Sequence, residues 1–446
     1  MNTQPKIQIG IIALEEIHFS LQQKFHSEKK EEFHAGEYVA TIENNQVCLK
    51  NKSGNKICRN SFLLSTEKPE SFFELKNVII GVNFHWEQQE NQQFQGSLKL
   101  ISENGKVRAI NIIHLEEYLK RLISSEMSAT SSPDLLKAHA VISRSWQLAQ
   151  IEKTQLLKTG DGLYQTSFET DTEITRWYDR EDHDNFDVCA DDHCQRYQGI
   201  SKIYSEKAIK AVEETYGEVL VFDGNICDAR FSKCCGGISE NFENVWEPLR
   251  HSYLTKVVDS EFGDTTCVDL RLEEEAELWI RNKPHAFCNT TDQQILSQVL
   301  PNFDQLTTDF YRWKVEYSQT VISELIKSKS GIDFGEIVKL EAGKRGHSSR
   351  IIKLKITGTK KTLTVGKELE IRKWLSKSHL YSSAFVIDHL EMENGIPQKI
   401  VLTGAGWGHG VGLCQIGAAV MGEKGYSYKA ILNHYFRGAE LKRLYQ

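Results

Sequence analysis

The chain has 446 residues, a formal net charge of −7, ten cysteines and seven prolines. That length carries two or three domains with a full apolar core. The acidic balance excludes bulk binding of a phosphate backbone. The cysteines are too sparse for a disulfide scaffold, so most read as reduced core residues.

The first residues, MNTQPKIQIGIIALEEIHFSL, carry one lysine and an alternating apolar run broken by Glu15 and Glu16. This is unlike the long apolar stretch of a secretory signal, and no signal is read in this numbering. No run of about 18 apolar residues predicts a transmembrane helix. Residues 1–110 predict a β-rich lobe from IQIGII, EYVATI, VIIGVNFHW, GSLKLI and VRAINII, separated by polar turns such as Glu103-Asn104-Gly105. Two helices follow over 114–153. Leu115, Leu119, Leu122 and Ile123 stand at helical spacing in the first, and Ser132-Pro133 supplies an N-cap and first-turn proline for the second.

Residues 176–200 are rich in Asp, His and Cys and read as an irregular loop. The stretch IKAVEETYGEVLVFDGNICDARFSKCCGG reads as helix, strand and strand, ending at Gly236-Gly237. A mixed stretch then places a helix at ISELIKSK and strands at RIIKLKITG and KTLTVG. In GAGWGHGVGLCQIGAAVM, glycine occupies every second position from Gly404 to Gly412. An extended chain of this kind has Trp407 and His409 on one face and a bare opposite face, suited to close backbone packing, a bulged corner or a flat ligand ring. SYKAILNHYF closes the chain as a helix.

Three constellations carry chemistry. Glu126 ends the first helix, where the negative pole of the helix dipole raises a carboxyl pKa toward that of a general acid. Position alone is equally that of a surface glutamate at a fraying helix end. His183, Cys189, His193 and Cys194 fall within twelve residues. They supply the donor number and type of a closed tetrahedral zinc site, although the spacing is not that of a standard finger. Four protein ligands leave no place for an attacking water, so such a metal is structural. The Gly236-Gly237 turn presents backbone N–H groups. No G-x-G-x-x-G, phosphate-loop lysine or G-x-S-x-G elbow occurs.

The order of EEYLKRLISSEM, LLKAHAVISRSWQLA, CADDHCQRYQG, CCGGISENFENVW with YLTKVVD, and GAGWGHGVGLCQIGA with ILNHYF resembles the SpoIID/LytB family of bacterial cell-wall proteins, whose sporulation members are lytic transglycosylases. The resemblance covers most of residues 85–446. It implies an α+β fold: a β-rich lobe over 1–110, a SpoIID-like core over 111–262, an inserted α+β segment over 263–395, and a Gly-rich ribbon with the last helix completing the core over 396–446. It implies that Glu126 is the catalytic acid of a Ser-Glu-Met motif, and that His183, Cys189, His193 and Cys194 match a zinc site of some members. Arg144 is then expected to position Glu126 or the sugar, with Tyr197, Gly236, Gly237 and His409 in the cleft. The chain departs from the family at His139, at Ser145-Trp146 and at Cys235.

The implied substrate is the glycan strand of peptidoglycan, cleaved to 1,6-anhydro-muramic ends, with one structural Zn2+ and no cofactor required for the chemistry. A location in the cell envelope or periplasm follows from that substrate. Two rival readings stand beside it: a non-catalytic glycan-binding protein or enhancer of a cell-wall amidase, and a zinc hydrolase built on the Cys/His loop.

Overall fold

Alternating apolar residues in the first 114 positions build two mainly antiparallel sheets around one core. The computed structural model describes residues 3–80, 88–128, 130–158, 167–177, 183–190, 194–201, 205–261, 263, 268–299 and 309–446. One sheet orders the strands Val188–Cys189, Lys6–Leu14, Lys106–His114, Ser97–Glu103, Ser61–Ser65, Phe25–Ser27 and Glu32–Phe33. The other orders Gln88–Gln95, Phe72–Ile80, Glu16–Leu21, Gly36–Glu43, Gln46–Asn51 and Lys56–Arg59. Ile7, Ile9, Phe19, Leu21, Phe73, Leu75, Leu98 and Leu100 are buried together in this core. Asn104 and Gly105, both at positive φ, make the expected tight turn between the strands ending at Glu103 and starting at Lys106. Cys48 and Cys58 face each other across adjacent strands and form a disulfide. Cys227, Cys234, Cys235, Cys288 and Cys414 are buried thiols, and Cys267 lies outside the described residues.

The helix pair forms as the sequence predicts. Helix α1 spans Leu115–Glu126 and buries Leu115, Leu119, Leu122 and Ile123. Helix α2 spans Pro133–Lys158, and the Ser132 hydroxyl accepts the Leu135 N–H at 3.3 Å. Between the helices lies a buried ion pair that the sequence reading missed. Arg144 donates to both oxygens of Glu116, at 2.8 and 2.7 Å, and to the Glu218 carbonyl at 2.9 Å. Glu116 also accepts from the Tyr445 hydroxyl at 2.6 Å and the Gly217 N–H at 3.3 Å. One carboxylate thus joins α1, α2, the strand Glu218–Phe222 and the end of the chain.

A second core lies under a sheet in the order Ser167–Glu169, Glu173–Arg176, Thr362–Gly366, Ile351–Gly358 and Ile337–Arg345, against the helices Gln319–Ser330 and Glu368–Trp374. The strand Ile396–Ala405 pairs with Arg312–Ser318 on one side and Phe385–Glu393 on the other. The Gly-alternating stretch departs from the extended ribbon expected of it. The strand stops at Ala405, and Gly406, Gly408, Gly410 and Gly412 take φ of 76°, 92°, 78° and 73°. Period-two glycine here marks alternate left-handed residues, which side chains resist.

Two expectations follow for stability. Arg144→Ala leaves Glu116 buried without its cation and should cost about 3–5 kcal/mol in urea unfolding. The double change Glu116→Leu with Arg144→Met should recover most of that loss. His139 is fully buried between Ser143 and Gln415, and burial, reinforced by Lys233, holds its imidazole down at about 4. Its unfolded value is near 6.5, so unfolding takes up a proton between pH 6.5 and 4. This stabilising contribution is complete above pH 6.5 and is lost as pH falls toward 4. His139→Gln should therefore flatten the acid side of the stability curve by about 3 kcal/mol, read as the difference from the parent protein.

Candidate active site

Glu126 is the last residue of α1, in the position its motif predicts, and is half-buried rather than open to solvent. No basic residue occupies the last helical turn, and the Ser124 and Ser125 hydroxyls turn back to the Lys120 and Arg121 carbonyls. The carboxylate is held from across the fold, where the Arg196 N–H donates to Glu126 Oε1 at 3.0 Å. Nearby, the buried Tyr118 phenol is pushed up, first by burial and then by the electrostatic influence of Cys194, Tyr197, Glu126 and Cys189. Glu126 therefore sits beside the Cys/His loop.

That loop brings three of its four expected ligands together. Cys194 Sγ lies 3.4 Å from His183 Nε2 and accepts the Cys189 N–H at 3.4 Å. The three donor atoms are all within 4.8 Å of one another. His193 lies outside the described residues. Two sulfurs and an imidazole nitrogen at this spacing suit zinc by donor chemistry. The loop is tied to the N-terminal sheet by the Val188–Cys189 strand, which runs parallel to Ile9 and Gly10. Arg196, which anchors Glu126, follows Cys194 by two positions.

The remaining expected site residues are placed differently. Arg144 is fully buried and its partner is Glu116, not Glu126. Tyr197 is also buried, donating to Asn111 Oδ1 at 2.9 Å and packing on Tyr118, so it supports the floor beneath Glu126. Gly236 and Gly237 have φ of 81° and 108° and face protein. A β-carbon on Gly236 would lie 2.9 Å from the Gly406 nitrogen, and one on Gly406 would lie 2.8 Å from the Cys234 oxygen. Cys234 and Trp407 exchange backbone hydrogen bonds of 3.0 and 2.8 Å. The bare face of the Gly-rich stretch thus admits backbone. Trp407 stacks on Phe310 with centroids 4.7 Å apart. His409 packs edge-on to Trp246, and its Nδ1 accepts the Val411 N–H at 3.1 Å. Burial, then the charges of Arg230 and Arg350, keeps its ring well below the usual imidazole range and neutral.

Two groups escaped the sequence reading. Glu240, fully buried, accepts from the N–H groups of His347 and Ser348, the Ser348 hydroxyl and the Asn244 amide. It holds a loop from which Arg350 reaches the Cys235 and Gly408 carbonyls at 3.2 and 3.1 Å. The second group is a buried gathering of Cys235, Asp259, Cys288 and Cys414. Burial, with the charge of Cys414, pushes the Asp259 carboxyl up to about 7. Burial also raises Cys414, but hydrogen bonds from Cys234, Cys235 and Cys288 outweigh it and hold that thiol well below its usual range. No local motif announces this cluster, because its members are scattered over 180 positions of sequence.

Link by link, Glu126 connects to the Gly236 turn. Ser128 N–H donates to the Gln298 carbonyl at 2.9 Å, and Lys233 Nζ donates to the Val299 carbonyl at 3.0 Å. A separate cavity of about 290 Å³, lined by Lys6, Gln8, Glu28 and Lys99, lies on the N-terminal lobe and touches none of these residues.

Residues 103–222 match the family model described as Stage II sporulation protein, and residues 240–412 match a domain of unknown function. The chain is 23% identical over 333 residues to Stage II sporulation protein D of Bacillus amyloliquefaciens, covering 75% of each. It is 24% identical over 331 residues to the amidase enhancer of Bacillus subtilis strain 168, covering 72% of this chain and 40% of that protein. An uncharacterized protein of Brachyspira hyodysenteriae is 25% identical over 349 residues, covering 78% of this chain and 72% of its own. The first family match contains α1, α2, Glu126 and the Cys/His loop, so the chain is similar to the SpoIID family over that segment.

Proposed function

We propose that the chain is a peptidoglycan lytic transglycosylase of the cell envelope, with Glu126 as acid and then base. One observation carries the reading: a half-buried carboxylate at the end of α1, fixed by the Arg196 N–H. A hydrolysing glycosidase needs two carboxylates, one to protonate the leaving oxygen and one to attack or to activate water. Ring closure needs one. Glu126 protonates the glycosidic oxygen between MurNAc and GlcNAc, and the C1–O bond breaks. The resulting carboxylate then takes the proton of the muramic C6 hydroxyl as that oxygen closes on C1. The nucleophile is already tethered to the electrophile, so no water has to be held in place.

The Arg196 N–H orients the carboxylate at the end of α1. His183, Cys189 and Cys194, with His193 as the expected fourth ligand, would hold a structural zinc, which supplies rigidity to the loop bearing Arg196. The similarity to a protein named amidase enhancer supports a second reading, glycan binding without cleavage.

Glycan strands stripped of stem peptides should yield 1,6-anhydro-muramic ends by mass spectrometry. Glu126→Gln should lower that yield by about 100-fold or more, with the urea midpoint little changed. Equal yields from the two proteins, or binding with no product from either, would favour the non-catalytic reading. Chelation should slow turnover reversibly while leaving the remaining product anhydro-ended, whereas hydrolytic reducing ends that vanish with the metal would establish the zinc hydrolase instead.

A further inference from the structure

The geometry points to a second metal site: Cys235, Cys288, Cys414 and Asp259 hold a structural zinc ion that fastens the segment around Cys288 to the Gly-rich seam. It uses none of the groups assigned to glycan cleavage or to the Cys/His loop.

The four donors come from four separate stretches. Cys235 lies in the Gly-Gly turn, Asp259 follows the YLTKVV stretch, Cys288 follows the helix Glu273–Asn282, and Cys414 caps the helix Gln415–Glu423. They are exposed by 3%, 0%, 1% and 0%, so no solvent position remains at the cluster. All four ligand atoms lie within 4.8 Å of one another. Cys235 Sγ and Cys288 Sγ are 3.6 Å apart. Two thiolates on one tetrahedral zinc, each about 2.3 Å from the metal, stand about 3.8 Å apart. A disulfide requires about 2.0 Å. The observed separation excludes a disulfide and fits co-ligands, as it also fits an S–H···S contact.

The surroundings orient these atoms as outer partners orient metal ligands. The Cys235 N–H donates to Cys414 Sγ at 3.2 Å. The Cys288 N–H donates to Asp259 Oδ2 at 2.9 Å, and the Tyr435 hydroxyl to Oδ1 at 2.7 Å. The Asp259 backbone is itself fixed, its N–H donating to the Gly237 carbonyl at 3.0 Å and its carbonyl accepting from Phe287 at 2.7 Å. Among the described residues, the basic group recorded beside Asp259 is His434, 3.9 Å away. A divalent ion bound by deprotonated thiols would offset the desolvation of a carboxylate at this place. Four protein donors with no open position make the site structural. Cys234 lies next to it and hydrogen-bonds to Cys414, but it is not among the four donors gathered within 4.8 Å of one another.

The test separates this site from the Cys/His loop. Full-length Cys189→Ser/Cys194→Ser protein, purified with zinc and freed of loose metal, is assayed by mass spectrometry of metals. One zinc per chain is expected. Adding Cys288→Ser should remove it, Asp259→Asn should weaken it at least 10-fold in a chelator competition, and Cys234→Ser should leave it in place. Cobalt in the Cys189→Ser/Cys194→Ser protein should give tetrahedral visible bands and a thiolate charge-transfer band sized for three sulfurs. Chelator should lower the unfolding midpoint of that protein but not of its Cys288→Ser derivative. A metal-free folded protein, a Cys235–Cys288 disulfide in the peptide map, or a cobalt spectrum that survives Asp259→Asn and Cys288→Ser would overturn the site. Because metal is counted without glycan, loss of the transglycosylase reading leaves this result standing.

Discussion

The close approach of two backbones, the Cys234–Gly237 turn against Gly406–Gly412, is the constraint on which the central architecture rests. Cys234 and Trp407 pair by main-chain hydrogen bonds, and the neighbouring glycines leave no room for a β-carbon on either side. Gly410 faces the guanidinium of Arg350, and Gly412 faces the Arg230 carbonyl. Main-chain carbonyls brought this close need donors, and Arg350 provides them to Cys235 and Gly408 at once. Arg350 in turn stands at the end of a loop that Glu240 gathers by three hydrogen bonds. Removing the bare face at one point would therefore displace charge, loop and turn together.

The helices were legible in the sequence because their signals are local. Leucines at helical spacing, and a serine before a proline, fix α1 and α2 without reference to anything distant. The ribbon was legible as a place of close approach and misread as an extended strand. Period two is shared by a strand and by a chain that alternates left-handed residues, and only the φ values separate them. Arg144 shows a different limit. Its guanidinium suits a sugar, a carboxylate or a buried pair equally, and the choice depends on how α1 crosses α2, a property of packing that no spacing encodes.

The same contrast divides the two cysteine groups. His183, Cys189 and Cys194 lie within twelve residues, so a single loop brings them together and the composition of that loop gives them away. Cys235, Asp259, Cys288 and Cys414 meet only after the turn, the Cys288 segment and the last two helices have docked. Each alone looks like an ordinary core cysteine or an isolated acid. Their meeting point is the back of the glycine seam, since Cys235 and Cys414 belong to the segments that form it.

Glu126 depends on elements that share little sequence with one another. α1 delivers the carboxylate, the loop after Cys194 delivers the N–H that fixes it, and Tyr197 supports that loop from below through Asn111 of the N-terminal lobe. Regular secondary structure supplies only the first of these. The described parts of that loop are tied down by the sheet pairing at Val188–Cys189 and by the contact of Cys194 with His183. Among the contacts described, a main-chain N–H of that loop fixes the Glu126 carboxylate. Arg144 is committed to Glu116, and the residues of the Cys/His loop bear on where Glu126 points.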